Sequence, residues 1–456
     1  MKRDNGAKAN KIFAKVLPKI TPSKREAAES FSNAAAMMKK LERVAPPAVE
    51  IRLAGSLAKG TALSGNNEFD IFLLFPRHYP HHEMTVLGMQ YARHAFAGMR
   101  CEARYAEHPY LQVFYRDYHA DIVPAYKIGS ISERGSSVDR SQLHTAYVNA
   151  KLSHSAKGDV RLLKRFMKNF GIYGAELRVE GFSGYLCELL IVHYGSLCAL
   201  MKAAAQWGEQ PVIDTEKQLS EDAARRNFAS PLVVVDPTDP GRNVAAVVAH
   251  TSLSRFAFEC RRFLAAPSDR FFFSKKIVRK PREISLAMKK RGTLCLAVRF
   301  PAPKVVPDVL WPQLKKTAQA LVRRLEALDF SVFGCYHWSD GNECMVLFEL
   351  DRGELPAIVK ATGPSIRFAR DVDAFVKKHK NALNIHIEHD RIVAVERRAT
   401  MDAAAALLEA CRRPAGLGAP EKMAHAMATC KVSEGSAIVS AKYAEFLSDY
   451  FFAKIA

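Results

Sequence analysis

The chain has 456 residues, 48% of them apolar, and 67 basic against 47 acidic side chains give a formal charge of +20. It is too long for one hydrophobic core, so two to four domains are expected, and its purely apolar runs fall far short of the ~20 residues a membrane helix needs. The charge selects a polyanionic partner, nucleic acid ahead of an anionic membrane surface, because no lysine-rich tail or lipidation signal favours lipid.

Met1-Lys2-Arg3-Asp4-Asn5 is polar and lacks the apolar core of a signal peptide. Ser23-Lys24-Arg25-Glu26 has the form of a capping box and opens a helix with Ala27, Phe31, Ala34, Met38 and Leu41 on one face, ended by Pro46-Pro47. A strand over Val49 to Leu53 leads into Gly55-Ser56. A short polar loop follows, and then Glu68-Phe69-Asp70 enters the strand 68 to 75.

Residues two apart in a strand share a face, so Glu68 and Asp70 project together. Carboxylates that close raise one another's pKa unless a cation sits between them, and Mg²⁺ is the usual cation for an oxygen-only pair that also carries phosphates. The Gly55-Ser56 turn is where a triphosphate would lie, with Ser56 offering hydroxyl and amide and Lys59 an ammonium group. The segment suggests a metal-dependent nucleotidyltransferase. The bland alternative is a pair of solvated turn residues ahead of a strand.

A helix from about Met84 to Met99 and strands near Leu111 to Tyr115 and Ala120 to Val123 complete a mixed unit ending near residue 150. Asp121 is a lone carboxylate in an apolar strand, the expected third metal ligand; Asp117, in a polar stretch, reads as a surface residue. Residues 159 to 205 read as helical, with Gly171 as a stop and Ser183 to Leu200 as one buried helix. Asp236 to Gly241 is a turn-rich break, and Ala246 to Phe263 is helical again. From Leu294 the order is strand (Leu294 to Phe300), helix (Pro312 to Leu328) and two strands (Phe330 to Tyr336, Met345 to Leu350), as in split-βαβ or RNA-recognition-like folds. A basic helix over 370 to 382 and a hairpin over Ile385 to Val395 follow. Nine cysteines without a Cys-x-x-Cys pair argue against a zinc site or a disulfide framework and for a reducing cytoplasm.

The pattern Gly-Ser, loop, acid-x-Asp, then a distant Asp in a strand resembles the DNA polymerase beta-like nucleotidyltransferases. Segments Gly55 to Thr61, Glu68 to Pro76, Ala120 to Tyr126, Val138 to His144, Val160 to Ser196, Arg242 to Ala246 and Val298 to Leu350 look like the archaeal-type (class I) CCA-adding enzymes. Leu57 departs from the aromatic common at its position, and the first acid is Glu rather than Asp.

The resemblance implies an α+β multidomain protein. Its parts are a nucleotidyltransferase head (1–150), a helical neck forming the nucleotide pocket (151–225), a segment carrying Arg242-Asn243-Val244-Ala245-Ala246 (226–290), and an RNA-recognition-like body and tail (291–456). It implies addition of C, C and A to the 3′ end of tRNA from CTP and ATP, with Mg²⁺ held by Glu68, Asp70 and Asp121. It assigns nucleotide contacts to Ser56, Lys59, His144, Lys164 and Tyr173. Arg242 is the expected base reader, since a guanidinium offers a planar fork of donors.

Composition alone reads Lys164 as a solvated lysine on the basic helix 161 to 168, His144 as a surface histidine and Tyr173 as a core aromatic. That basic helix and the stretch Arg367, Arg370, Lys377, Lys378 and Lys380 are candidates for the tRNA body. A homodimer is compatible with the chain, but nothing in it fixes the oligomeric state. The competing readings are a poly(A) polymerase or terminal uridylyltransferase, and a catalytically silent RNA-binding protein.

Overall fold

The computed structural model describes residues 2–105 and 109–452. The chain divides into two compact units, Met1–Lys275 and Lys276–Ala456. The first unit begins with α1 (Lys2–Ile20) and α2 (Lys24–Glu42). The capping box forms: Glu26 N donates to Ser23 Oγ at 3.1 Å, and Ser23 N to Glu26 Oε2 at 3.3 Å. Glu26 also accepts from Ser64 Oγ (2.9 Å) and Gly65 N (2.6 Å), which pins the polar loop before Glu68.

The buried face of α2 is Ser30, Asn33, Ala34, Met37 and Leu41, whereas Phe31, expected inside, is exposed. Inside, Ser30 Oγ donates to Tyr118 Oη at 3.4 Å and the Asn33 side-chain oxygen accepts from Arg116 Nη1 at 3.2 Å.

Next come β1 (Glu50–Ala54), α3 (Gly55–Lys59), β2 (Glu68–Phe75), α4 (His81–Ala95), β3 (Cys101–Tyr105), β4 (Pro109–Tyr115) and β5 (Tyr118–Tyr126). They make a five-stranded sheet of order β1-β2-β5-β4-β3, parallel between β2 and β5 and antiparallel elsewhere. Phe69, Ile71, Leu73 and Phe75 of β2 face a core shared with Met37 and Leu41 of α2 and Met84 and Ala92 of α4. Alternation along β2 then puts Glu68 and Asp70 on the opposite face.

The rest of this unit is α5 (Arg140–Lys151), α6 (His154–Asn169), α7 (Gly184–Tyr194), α8 (Leu197–Ala204), β6 (Val212–Ile213), α9 (Glu221–Asn227), β7 (Val233–Asp236), β8 (Asp239–Asn243) and α10 (His250–Ala265). Its core is aromatic, with Phe13, Phe166, Phe256, Phe263 and Phe272 packed ring against ring. α6 stops at Phe170 before Gly171 (φ +68°), as the sequence predicts.

The single helix expected over Ser183 to Leu200 is two, α7 and α8, turned by 94°. Gly195 takes a left-handed conformation (φ +77°) and Ser196 Oγ caps Ala199 N at 3.2 Å. A segment apolar all round carries no periodicity to report that turn. The turn-rich break at Asp236 is the hairpin between β7 and β8. α10 starts at His250, later than expected, because Asn243 Oδ1 accepts from Val234 N (2.8 Å) and Ala245 N (2.9 Å) and holds the intervening chain in turns. No single described helix is long and apolar enough to cross a membrane.

The second unit contains α11 (Pro281–Arg291), β9 (Leu294–Pro301), α12 (Pro307–Glu326), β10 (Val332–Ser339), β11 (Glu343–Leu350), β12 (Ile358–Ser365), α13 (Ala369–Lys378), β13 (Asn384–Glu388), β14 (Arg391–Arg397), α14 (Ala403–Arg412), α15 (Glu421–Met427), β15 (Lys431–Glu434) and α16 (Ala444–Phe452). One sheet has the order β10-β11-β9-β15 with antiparallel neighbours, so β9 and β10 run parallel with β11 between them, the split βαβ that the sequence suggests. The fourth strand, β15, comes from far along the chain. A separate sheet, β12-β14-β13, carries α13, whose Arg370, Lys377 and Lys378 are exposed with nearby Arg367 and Lys380.

Candidate active site

β2 and β5 run parallel with Asp70 opposite Asp121 and Glu68 opposite His119. One register thus brings the three expected carboxylates to the same edge. Asp121 Oδ1 accepts from Gln112 Nε2 at 2.9 Å, and Glu68, mostly exposed, lies 3.2 Å from His119 Nε2. Ala54 pairs with Asp70, so the chain leaving β1 turns directly over that carboxylate. Gly55 makes the turn at φ +69°, and a Cβ there would lie 1.8 Å from Asp70 Oδ2. Glycine is required twice over, for the left-handed backbone and for the close approach.

Burial, and then the neighbouring Asp121 and Glu68, push the Asp70 carboxyl up to about 6, although Lys59 pulls the other way. Burial also raises Asp121, against the hydrogen bond from Gln112. Among the described residues no three acidic, histidine or cysteine side chains already close on a common point. Carboxylates so placed repel, and a cation between them relieves both the repulsion and the desolvation. An all-oxygen set of this kind fits Mg²⁺.

α3 runs from Gly55 through Ser56 to Lys59. Lys59 is buried and its Nζ pairs with Glu188 Oε2 of α7. Glu188 Oε1 accepts from Thr61 Oγ1 (2.6 Å) and Lys164 Nζ (3.3 Å). Lys164 is 2% exposed and also donates to the carbonyl (3.3 Å) and hydroxyl (3.1 Å) of Thr61. It is not a solvated lysine.

Two more cations of the basic helix are likewise spent inside the protein. Arg161 donates to Ala62 O (2.8 Å) and Gly60 O (2.6 Å), and Arg165 to Phe272 O (2.7 Å). Tyr173 bridges to Phe182 across the loop after α6. A Cβ on Gly184 would meet Tyr173 Oη at 3.2 Å and Lys164 Nζ at 3.6 Å, so these two polar ends meet over a residue that must stay small. Burial pushes the Tyr173 hydroxyl far above its ordinary pKa, which keeps it a neutral donor.

The hairpin supplies a second node. Asp236, fully buried, accepts from His144 Nε2 (3.0 Å), Arg242 Nη1 (2.8 Å), Tyr185 Oη (3.2 Å), and Thr238 N and Oγ1 (3.0 and 2.8 Å). Burial would raise this carboxyl, but its bonds, from His144 first, hold it well below the usual carboxylate range. His144 stacks on Tyr185 at 3.9 Å between centroids, and burial holds its pKa down despite Asp236. It is therefore neutral at pH 7 rather than an ordinary surface histidine. Arg140 and His144 lie four apart on α5, on one face, and reach Asp239 (2.9 Å) and Asp236 in turn. Lys59 sits 5.7 Å from the Tyr185 ring centroid, which connects the Glu188 and Asp236 nodes.

Known protein families match this architecture in the same order along the chain. The nucleotidyltransferase domain family matches residues 37–144, the second domain of tRNA nucleotidyltransferases 158–273, and the C-terminal domain of CCA-adding enzymes 291–430. A CCA-adding enzyme of Methanosarcina mazei is 36% identical over 83% of this chain and 84% of its own. That of Halobacterium salinarum is 33% identical over 96% of this chain and 97% of its own. The chain belongs to the CCA-adding enzyme family. It has the polymerase beta-like nucleotidyltransferase head of that family, followed by helical and α+β domains. A solved RNA terminal U-transferase overlays with a TM-score of 0.47 at 17% identity, covering 59% of this chain and 98% of that one.

Four residues that build the site in this member of the CCA-adding enzyme family are not among those the sequence points to: Glu188, Asp236, Tyr185 and Gln112. Glu188 has a readable signal, as the one carboxylate in a segment apolar on every side, which must be paired to be buried. Asp236 is visible in the sequence only as part of a turn. Nothing local distinguishes Tyr185 or Gln112, whose roles depend on β4 and α7 reaching the same space as residues far away in the chain.

Proposed function

We propose that this protein extends the 3′ end of tRNA by C, C and then A, taking CTP and ATP and releasing pyrophosphate. The observation that carries the chemistry is Asp70 opposite Asp121 in register, with Gly55 closed over the carboxylate; family membership over most of the chain carries the substrates. Glu68, Asp70 and Asp121 are the residues to hold Mg²⁺, which when bound neutralises phosphate charge and lowers the pKa of the terminal 3′-hydroxyl. Asp121, with its other oxygen oriented by Gln112, receives the hydroxyl proton. Ser56 and Lys59 bind the triphosphate beside the Gly55 turn, with Lys164 and Tyr173 behind them. His144, neutral, binds sugar or phosphate by hydrogen bond rather than charge. Arg242, its guanidinium held in place by Asp236, presents its remaining donors to the base edge.

In this reading residues 1–150 are the head, 151–225 the neck, 226–290 the segment that brings in Arg242, and 291–456 the body and tail. The exposed cations around α13 contact the tRNA backbone, which suits an enzyme that must accept every tRNA by shape. All nine cysteines are free, in keeping with a cytoplasmic location.

The test is a tRNA lacking its 3′ CCA, incubated with Mg²⁺ and single or mixed nucleotides. Two C additions with CTP and a final A with ATP are expected, and Asp70→Ala should abolish them while tRNA binding stays nearly intact. Long A or U tails would assign a poly(A) or poly(U) activity instead, and full incorporation by Asp70→Ala would remove the carboxylates from the mechanism.

A further inference from the structure

Glu188 stands at the meeting point of three elements. Around it α7 is apolar, with Leu186, Cys187, Leu189, Leu190 and Ile191 all buried, and Glu188 itself is fully buried. A leucine would satisfy packing there. Instead the carboxylate takes Lys59 from α3, Thr61 from the following loop and Lys164 from α6. Two ammonium groups on one carboxylate leave a net positive charge inside the protein. Such an excess is costly in a closed core and useful where an anion is to be met.

The backbone around the cluster is fixed as well, since Arg161 bonds the carbonyls on either side of Thr61. Besides Glu188, Lys164 faces the Cys187 thiol on α7, the Thr61 hydroxyl and carbonyl, the Tyr173 hydroxyl and Lys59, none of them an anion. Burial lowers the Lys164 pKa and the neighbouring Lys59 adds to that, while Glu188 is the main group that opposes them.

We propose that Glu188 is a positioning residue for the nucleoside triphosphate: it holds Lys59 of the first helix after β1 and Lys164 of α6 as one oriented pair that engages the phosphates of CTP and ATP alike. The inference rests on the triphosphate-binding role given above to Lys59 and Lys164. The share of nucleotide affinity that this pair supplies is then the same for either base and steady in pH near neutrality. Without Glu188, the two lysines repel one another and burial drives Lys164 towards its neutral form.

The experiment measures kcat and KM of the full chain for CTP, on tRNA lacking CCA, and for ATP, on tRNA ending in CC, from pH 6.5 to 9. Wild type, Glu188→Gln and Glu188→Asp are compared. For Glu188→Gln the variant-to-wild-type ratio of nucleotide KM should rise with pH, by at most about tenfold per unit as one proton is lost. The rise should be the same for CTP and ATP, with KM for tRNA unchanged. Glu188→Asp keeps the charge but withdraws it by one methylene. It should raise KM for both nucleotides by a common factor with no added pH slope, and it decides the matter if Glu188→Gln does not fold. Nucleotide KM unchanged in the folded variants, or kcat and tRNA KM changed as much as nucleotide KM, would overturn the proposal. A wild-type protein that does not extend tRNA at all would instead refute the function on which the proposal rests.

Discussion

Replacing Gly55 with alanine tests the site where the fold leaves least room. The added methyl would lie 1.8 Å from Asp70 Oδ2 and 3.0 Å from Asp70 Cγ. Nonbonded heavy atoms settle near ~3.5 Å, so the carboxylate must withdraw by more than ~1 Å or the turn must open by as much. Alanine also meets the left-handed conformation at φ +69°, which costs about 1–2 kcal/mol. A displacement of ~1 Å in a reacting group costs on the order of 100-fold in rate. The expected result is a fall of ~100-fold in single-turnover CMP transfer to tRNA lacking CCA, a melting temperature lower by several degrees, and unchanged tRNA affinity. The melting shift alone is no support, since strain in any turn would give it. A wild-type rate in a folded Gly55→Ala protein would refute both the close approach and the role of Asp70.

Three further outcomes follow from other parts of the molecule. Because the Asp236 carboxyl lies below its ordinary value of 3.8 in the folded protein, it contributes stability above that pH, and the contribution is lost as pH falls through the folded value. Urea denaturation should show this acid-side loss below about pH 4 in wild type and a smaller one in Asp236→Asn, which should also weaken nucleotide discrimination by freeing Arg242; equal acid profiles would be inconsistent with the ion pairs drawn to Asp236. Neutralising Arg370, Lys377, Lys378 and Lys380 together should flatten the plot of log tRNA affinity against log salt by roughly one for each phosphate that the protein then leaves unneutralised. An unchanged slope would remove α13 from the tRNA surface. Gly195→Ala should destabilise the protein by about 1–2 kcal/mol through its left-handed φ between α7 and α8, read by chemical denaturation, and a neutral result would argue against the 94° turn.

The elements legible in the sequence are those with a local cause. The capping box at Ser23, the alternation that puts Glu68 and Asp70 on one face and the stop at Gly171 follow from residues within a few positions of one another, and the split βαβ of the second unit from an order of elements that each carry their own local signal. The departures have a cause too. Apolar spacing puts Phe31 inside because it says nothing of Asn33 and Ser30 finding partners at Arg116 and Tyr118, around the β4–β5 turn. Uniform hydrophobicity makes Ser183 to Leu200 look like one helix and hides a turn made by Gly195 and Ser196. The basic helix 161 to 168 looks available to tRNA because the order of its cations does not reveal that Arg161, Lys164 and Arg165 are bound to groups far away in the chain.

The sequence by itself determined the pattern at the sheet edge: that Glu68 and Asp70 share a face, that a Gly-Ser turn precedes them, and which family's pattern the chain follows. Only the tertiary structure decided how the charges are partnered. Asp70 and Asp121 are 51 positions apart in the chain and become neighbours through a parallel strand register. Glu188 and Asp236 gain their meaning only when α7 and the β7–β8 hairpin close on Lys59, Lys164, His144 and Arg242. Hydrogen-bond pairing over such separations leaves no local trace, because each residue's own neighbours in sequence are compatible with several other partners.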